Sequence, residues 1–204
     1  MRKFRPLLIA SAILAATPML AQAESQFTGT GNATARLDFQ ITVPRVLYLR
    51  VGTGTDYTNN AAINQIAFTV PAATMGDGTP VAASAASGDL GNGVVTARVL
   101  GNNGTITLSS TTTGALSNGA AGDTISYAQI ATAATTLTSA TALPAPALAD
   151  GATNSVTVTP VAGRVVTRDA RWTYTYANSA VVAPGTYGGV NANNSRVTYT
   201  AAMP

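Results

Sequence analysis

The longest regular pattern in the chain is Ala33, Ala35, Leu37, Phe39, Ile41 and Val43, alternating with Thr34, Arg36, Asp38, Gln40 and Thr42. Successive side chains on a strand point to opposite faces, so an unbroken period of two predicts a strand with one buried face. Pro44 has no amide hydrogen to give to a ladder and ends the run. Val46 to Val51 then predicts a second, more uniformly apolar strand.

Further strands are predicted at Ile63 to Val70, Val94 to Leu100, Thr105 to Ser109, Thr124 to Tyr127, Ser155 to Thr159, Arg164 to Thr167, Arg171 to Tyr176, Thr186 to Val190 and Arg196 to Ala201. These runs are rich in β-branched and aromatic residues and are separated by turn residues. Gly101-Asn102-Asn103-Gly104, set between two alternating arms, predicts a hairpin over Val99 to Leu108, because Gly and Asn tolerate positive φ. Asn191 to Asn194 predicts a similar turn before the last strand. Ala72 to Gly93 and Gly114 to Gly122 read as long surface loops. Between Tyr127 and Ala142, the residues Ile130, Ala134 and Leu137 have helical spacing, which admits one short helix ended by Pro144 and Pro146. Thr, abundant there, is a poor helix former. No solenoid period appears, and about ten short strands with turns between them predict an all-β antiparallel sandwich in place of an α/β fold.

Composition changes the picture first at the N-terminus. MRKFR, then PLLIASAILAATPML, then AQA gives a basic segment, an apolar segment and a small-x-small cleavage signal in the order of a secretory leader, cut after Ala23. Pro18 interrupts the apolar run, which falls short of the roughly 20 residues a membrane-spanning helix needs. The expected organisation is a signal peptide at 1–23, an N-terminal extension or first strand at 24–43 and a sandwich domain at 44–204. The eleven basic residues, less Arg2, Lys3 and Arg5 in the leader, leave eight, equal to the eight acids. A neutral mature chain argues against nucleic acid and anionic membranes as partners. No cysteine is present, so packing and strand pairing alone must hold the fold. Only 9% of residues are charged, against about a quarter in ordinary globular chains, which suits a surface that packs against its own copies.

The same composition removes most catalytic chemistry. With no histidine and no cysteine, and the only lysine in the leader, triads, thiol nucleophiles, Schiff bases and zinc sites of the usual ligands are excluded. Carboxylate pairs survive as an option, but Asp77, Asp89, Asp123 and Asp150 sit near glycines in turns, where such side chains bond to nearby amides. Gly29-Thr30-Gly31 and Gly52-Thr53-Gly54 lack the context of a phosphate loop, and Gly76-Asp77-Gly78 and Asp150-Gly151 lack the ligand series of a calcium loop. No catalytic residue, cofactor or metal is therefore expected. Arg164, Arg168, Asp169 and Arg171 gather before Trp172, Tyr174 and Tyr176, an arrangement that can bind sugars or proteins. Period two places the three aromatics on a buried face instead. Asn32, Asn103 and Asn193 match the glycosylation pattern in a composition that looks bacterial, and carry no weight.

Two stretches resemble bacterial pilus subunits assembled by a periplasmic chaperone and an outer-membrane usher, and related spore-coat-like surface-fibre domains. They are Ala33 to Val43 followed by PRVLYLRVG, and the C-terminal APGTYGGVNANNSRVTYTAAMP. The resemblance is closest to the cysteine-free branch. It implies an immunoglobulin-like sandwich lacking its final strand, with the N-terminal extension of one subunit filling the groove of the next. Ala33, Ala35, Leu37, Phe39, Ile41 and Val43 would then be plug residues, and Val197 and Tyr199 would line the acceptor groove. The implied partners are copies of itself or related subunits, with a chaperone and usher in transit. The implied destination is the cell surface. The run from Ala33 alternatively pairs within its own domain. A second expectation is a secreted β-sandwich module that binds glycan or protein through Arg171, Trp172 and the loops around Asp77 and Asp89, and a third is an acid-pair glycosidase.

Overall fold

The computed structural model of the chain describes residues 24–204, so the leader reading lies outside the described residues. The chain divides into two units, Met1–Val43 and Pro44–Pro204. In the described part of the first, Arg36 donates to both carboxylate oxygens of Glu24 at 2.7 and 2.9 Å, and Gln26 Oε1 accepts from the Thr34 amide at 2.9 Å. These bonds fold the chain back around Gly31, whose φ of 85° favours glycine. Residues 33–43 form no strand, which corrects the first expectation. The alternation records which side chains need cover, but a ladder also needs a neighbouring edge, and none lies among the described residues of this unit. Leu37, Phe39, Ile41 and Val43 are accordingly 71%, 86%, 86% and 73% exposed.

The second unit holds β1 (Leu47–Val51), β2 (Val81–Ala82), β3 (Val94–Gly101), β4 (Ile106–Thr111), β5 (Leu116–Ser117), β6 (Thr124–Ile125), β7 (Ile130–Thr135), β8 (Thr153–Val158), β9 (Val166–Tyr176) and β10 (Thr198–Ala202). All pairings are antiparallel. In the larger sheet β9 is central: β3 and then β2 pair along one edge, β7 pairs along the other, and β1 joins the far side of β3. The second sheet runs β10-β4-β8, and β5 with β6 makes a small ribbon. The protein is thus an all-β antiparallel sandwich.

Its core lies between the two sheets. Val95, Ala97, Val99, Ala170 and Trp172 face inward from the large sheet and meet Ile106, Leu108 and Val158 of the small one. Trp172 pairs with Val95 across the ladder and is fully buried, with its indole N–H donating to the Leu143 carbonyl at 2.8 Å. That carbonyl satisfies the one polar group a buried indole must place.

Several elements differ from expectation for identifiable reasons. The strands expected at Arg164 to Thr167 and Arg171 to Tyr176 merge into the eleven-residue β9, with Arg164 left in the turn before it, because Asp169 between them is held by the Thr138 and Ser139 amides. The Val99 to Leu108 hairpin does not exist: β3 and β4 lie in different sheets, and the link between them crosses the sandwich. Its asparagines serve hydrogen bonding, as Asn102 accepts from the Val46 amide and donates to the Pro44 carbonyl. The segment with helical spacing forms a single turn at Tyr127–Gln129 and then β7, since β9 offers an open edge and Thr favours strands. Ile63 to Val70 and Thr186 to Val190 form no strands, although Phe68 makes an isolated bridge to Ala83.

Candidate functional site

Two sheet edges lie on the same flank without partners. Among the described residues β1 pairs only with β3 and β10 only with β4, and these two outer strands come together across the sandwich. Arg45 donates to the Met203 carbonyl at 2.8 Å, tying the outer strands at one end. Away from that tie they diverge into a groove of about 970 Å³. Leu49 and Val51 of β1 form one side, Val197 and Tyr199 the other, and Val95, Tyr174 and Tyr176 lie beneath.

The two unpaired segments extend these walls. Residues 62–70 run extended, with Asn64, Ile66, Phe68 and Val70 partly covered and Ile63, Gln65, Ala67 and Thr69 exposed. One edge is fastened, as the Ala67 amide donates to Ser87 Oγ at 2.9 Å and the Ala67 carbonyl accepts from the Ser84 amide at 2.8 Å. Opposite, residues 182–191 carry Gly185, Gly188 and Gly189 at positive φ, conformations that other residues adopt with strain. Gly188 gives its amide to the Ser117 carbonyl, and a Cβ at that position would press on Leu116 and Ser195. The expected turn at Asn191 to Asn194 does place Asn191, Asn193 and Asn194 at positive φ, but it joins this wall to β10.

The groove floor is uncharged. Burial pushes the Tyr174 and Tyr199 hydroxyls up from their ordinary pKa, and the two share a hydrogen bond of 2.9 Å. Burial, with smaller effects from Tyr199 and Asp150, pushes Tyr127 up to about 12, and its hydroxyl donates to the Asn194 carbonyl. At neutral pH these groups are protonated, so the floor offers apolar rings and a few hydroxyls.

The expected groove residues Val197 and Tyr199 do line this cavity, while the plug residues Ala33 to Val43 belong to the other unit. Arg171 and Trp172 are separated by the pleat. Arg171 is exposed and reaches the Thr136 carbonyl, whereas the Trp172 indole lies in the core and presents no face to a ligand. Sequence reasoning read Thr186 to Val190 as a strand and did not place residues 182–191 beside the groove, because Pro184 and the glycines set a backbone path that an apolar pattern does not describe.

It also missed an ionic cluster on the outer face of the large sheet. Arg50 and Arg98 are cross-strand partners, a repulsive juxtaposition. Asp56 lies 2.7 Å from Arg98 and 3.6 Å from Arg50, and Asp89 lies 3.6 Å from Arg50 while accepting from the Thr96 amide at 2.8 Å. Two loop acids thereby neutralise two strand cations. Among the described residues no three His, Cys, Asp or Glu side chains gather where a metal could sit, and no helix is long and apolar enough to cross a membrane.

No protein-family model matches the chain, and no curated protein or solved structure was found to match it. The class is the one its own strands define: an all-β antiparallel sandwich with one flank left open.

Proposed function

We propose that this protein is an exported structural subunit of a cell-surface fibre, joined to its neighbours by strand insertion and performing no catalytic step. Residues 33–43 of one copy enter the groove between β1 and β10 of the next. The observation that carries this reading is the pairing of two deficits among the described residues: two bare sheet edges flank an apolar groove, and an extension with an apolar face pairs with no edge.

Each deficit fits the other. A strand laid between β1 and β10 completes two ladders and buries alternate side chains in the groove, the established physics of strand addition. Eleven residues at about 3.3 Å each span roughly the length of β1 with the 62–70 wall that continues from it. Burying Leu37, Phe39, Ile41 and Val43 contributes about 1.5–3 kcal/mol apiece before ordering costs are met. An open groove of this kind is also a hazard in transit, and a periplasmic chaperone and an outer-membrane usher are the partners suited to cover it. The fibre lies at the cell surface, where it supports adhesion or biofilm formation. The glycan-binding alternative through Arg171 and Trp172 lacks comparable support, because the indole is buried.

A chain beginning at Pro44 retains every residue of the core and groove, and a peptide of residues 33–43 should bind it with 1:1 stoichiometry by calorimetry. A folded, monomeric chain indifferent to the peptide would remove the reading.

A further inference from the structure

The groove and the extension each carry one unmatched charge. Among the residues lining the groove, Arg196 is the only charged one. It stands two positions before β10 and makes no ion pair among the described residues. In the extension, Arg36 is engaged by Glu24 at 2.7 Å. Asp38 is the single acid of residues 33–43 and has no ionic partner among the described residues.

We propose that Asp38 of one copy pairs with Arg196 of the next, and that this pair fixes the register and direction of the inserted strand. The inference rests on the strand-insertion reading. Val197 and Tyr199 turn toward the core side of the groove, while half-buried Arg196, just before β10, and exposed Thr198 take the alternate positions along its rim. On the extension Leu37 and Phe39 are the groove-facing type, which turns Asp38 outward, toward the rim where Arg196 stands. Directly opposed residues on one face of an antiparallel pair have Cβ atoms about 4.5–5.5 Å apart, within ion-pair reach.

Side-chain size then selects the direction. With Asp38 opposite Arg196 in an antiparallel ladder, Leu37 lies beside Val197, Ala35 beside Tyr199 and Ala33 beside Ala201. Phe39, Ile41 and Val43 run the other way, toward Ser195 and Asn191. The groove ends at Leu49 and Tyr199, beyond which Ala201 and Met203 already pack on the core, so that end has room only for small side chains. The opposite end is bounded by the 62–70 and 182–191 walls and is the wide one. Antiparallel insertion sends the alanines to the narrow end and the large side chains to the wide end. Parallel insertion about the same pair reverses both and sets Val43 beside Ala201.

The absence of native cysteine permits a direct test on the full mature chain. Asp38→Cys in one preparation and Arg196→Cys in another are mixed under mild oxidation, and the mixed disulfide is followed on non-reducing gels. Disulfides require Cα atoms about 4.4–6.8 Å apart, whereas a position four residues along the strand is about 13 Å away. The 38–196 disulfide should form at least about tenfold faster than the 34–196 or 42–196 disulfide made with Thr34→Cys or Thr42→Cys. Preferred crosslinking of 34 or 42 overturns the register while leaving strand insertion intact, and no crosslink from any of the three overturns both. In a second arm, Asp38→Arg or Arg196→Asp should each weaken association about fivefold at low salt, and the chain carrying both should recover it. Losses that persist in the double variant, or that salt leaves unchanged, overturn the ion pair.

Discussion

The two flanks of the sandwich solve the same problem differently. Where β7 and β8 end the two sheets, the chain itself closes the gap: residues 142–149 fill it, burying Leu143 and Pro146 completely. Trp172 donates to Leu143, Asp169 accepts from the Thr138 and Ser139 amides at 2.8 Å, and Ser110 donates to the Ala147 carbonyl at 2.9 Å. Where β1 and β10 end the sheets, no strand pairs with their outer edges among the described residues, and the gap is a groove. A sheet edge is satisfied only by pairing or cover, so the closed flank contributes stability to the single chain and, under the proposed function, the open flank reserves stability for association.

The largest effect should come from the closed flank. Trp172→Ala removes the side chain on which the core cluster centres and should lower unfolding free energy by about 3–5 kcal/mol, read by urea denaturation. If that loss is under about 1 kcal/mol, the closed flank is not where single-chain stability resides.

Occupancy of the open flank should give the next largest change. A peptide of residues 33–43 at a hundredfold excess over its Kd should stabilise the chain beginning at Pro44 by about 2.7 kcal/mol, seen as a higher Tm. The same peptide with Phe39→Asp should leave the Tm unchanged.

Asp169 gives a smaller, pH-dependent effect. Burial raises its pKa, but bonds from Thr138 and Ser139 outweigh this and hold it at about 2, below its ordinary 3.8. A depressed carboxylate stabilises the fold fully above its unfolded pKa and loses that contribution as pH falls from about 3.8 through about 2. The difference in stability between the native chain and Asp169→Asn should therefore be about 2 kcal/mol at pH 7 and shrink toward pH 2. A difference that stays constant with pH would mean that the carboxylate charge does not hold the 138–139 segment.

The smallest effect on the single chain should come from Phe39→Ala. Because Phe39 is 86% exposed, monomer stability should change by less than about 0.5 kcal/mol. Chain-to-chain association should nonetheless fall about tenfold or more. The sharpest version of the contrast is thus one substitution in the buried core that acts chiefly on unfolding and another that dissociates without unfolding.

Much of the sandwich was legible because burial imposes period two on the sequence. β1, β3, β4, β8 and β10 lie within a few residues of their apolar runs, and the inward face of Trp172, Tyr174 and Tyr176 follows from alternation alone. Pairing was far less legible. Nothing local distinguishes the Val99 to Leu108 link as a crossing between sheets, since the asparagines that permit a hairpin also hold the start of β1. Ile63 to Val70 shows the same limit from the other side, as its alternation is genuine but its outer edge stays bare. Of the groove, the β10 side was readable from Val197 and Tyr199. The role of the glycine-shaped wall at 182–191 was not, because Thr186 to Val190 reads as a strand while its contribution is a backbone path set by glycines.

The contact between Trp172 and Tyr199, with ring centroids 5.3 Å apart, has an optical consequence. The chain has a single tryptophan, fully enclosed, and its neighbour Tyr199 forms part of the groove lining. Any molecule that seats against Tyr199 alters the surroundings of this one fluorophore, so the emission of the unlabelled protein reports whether the groove is filled.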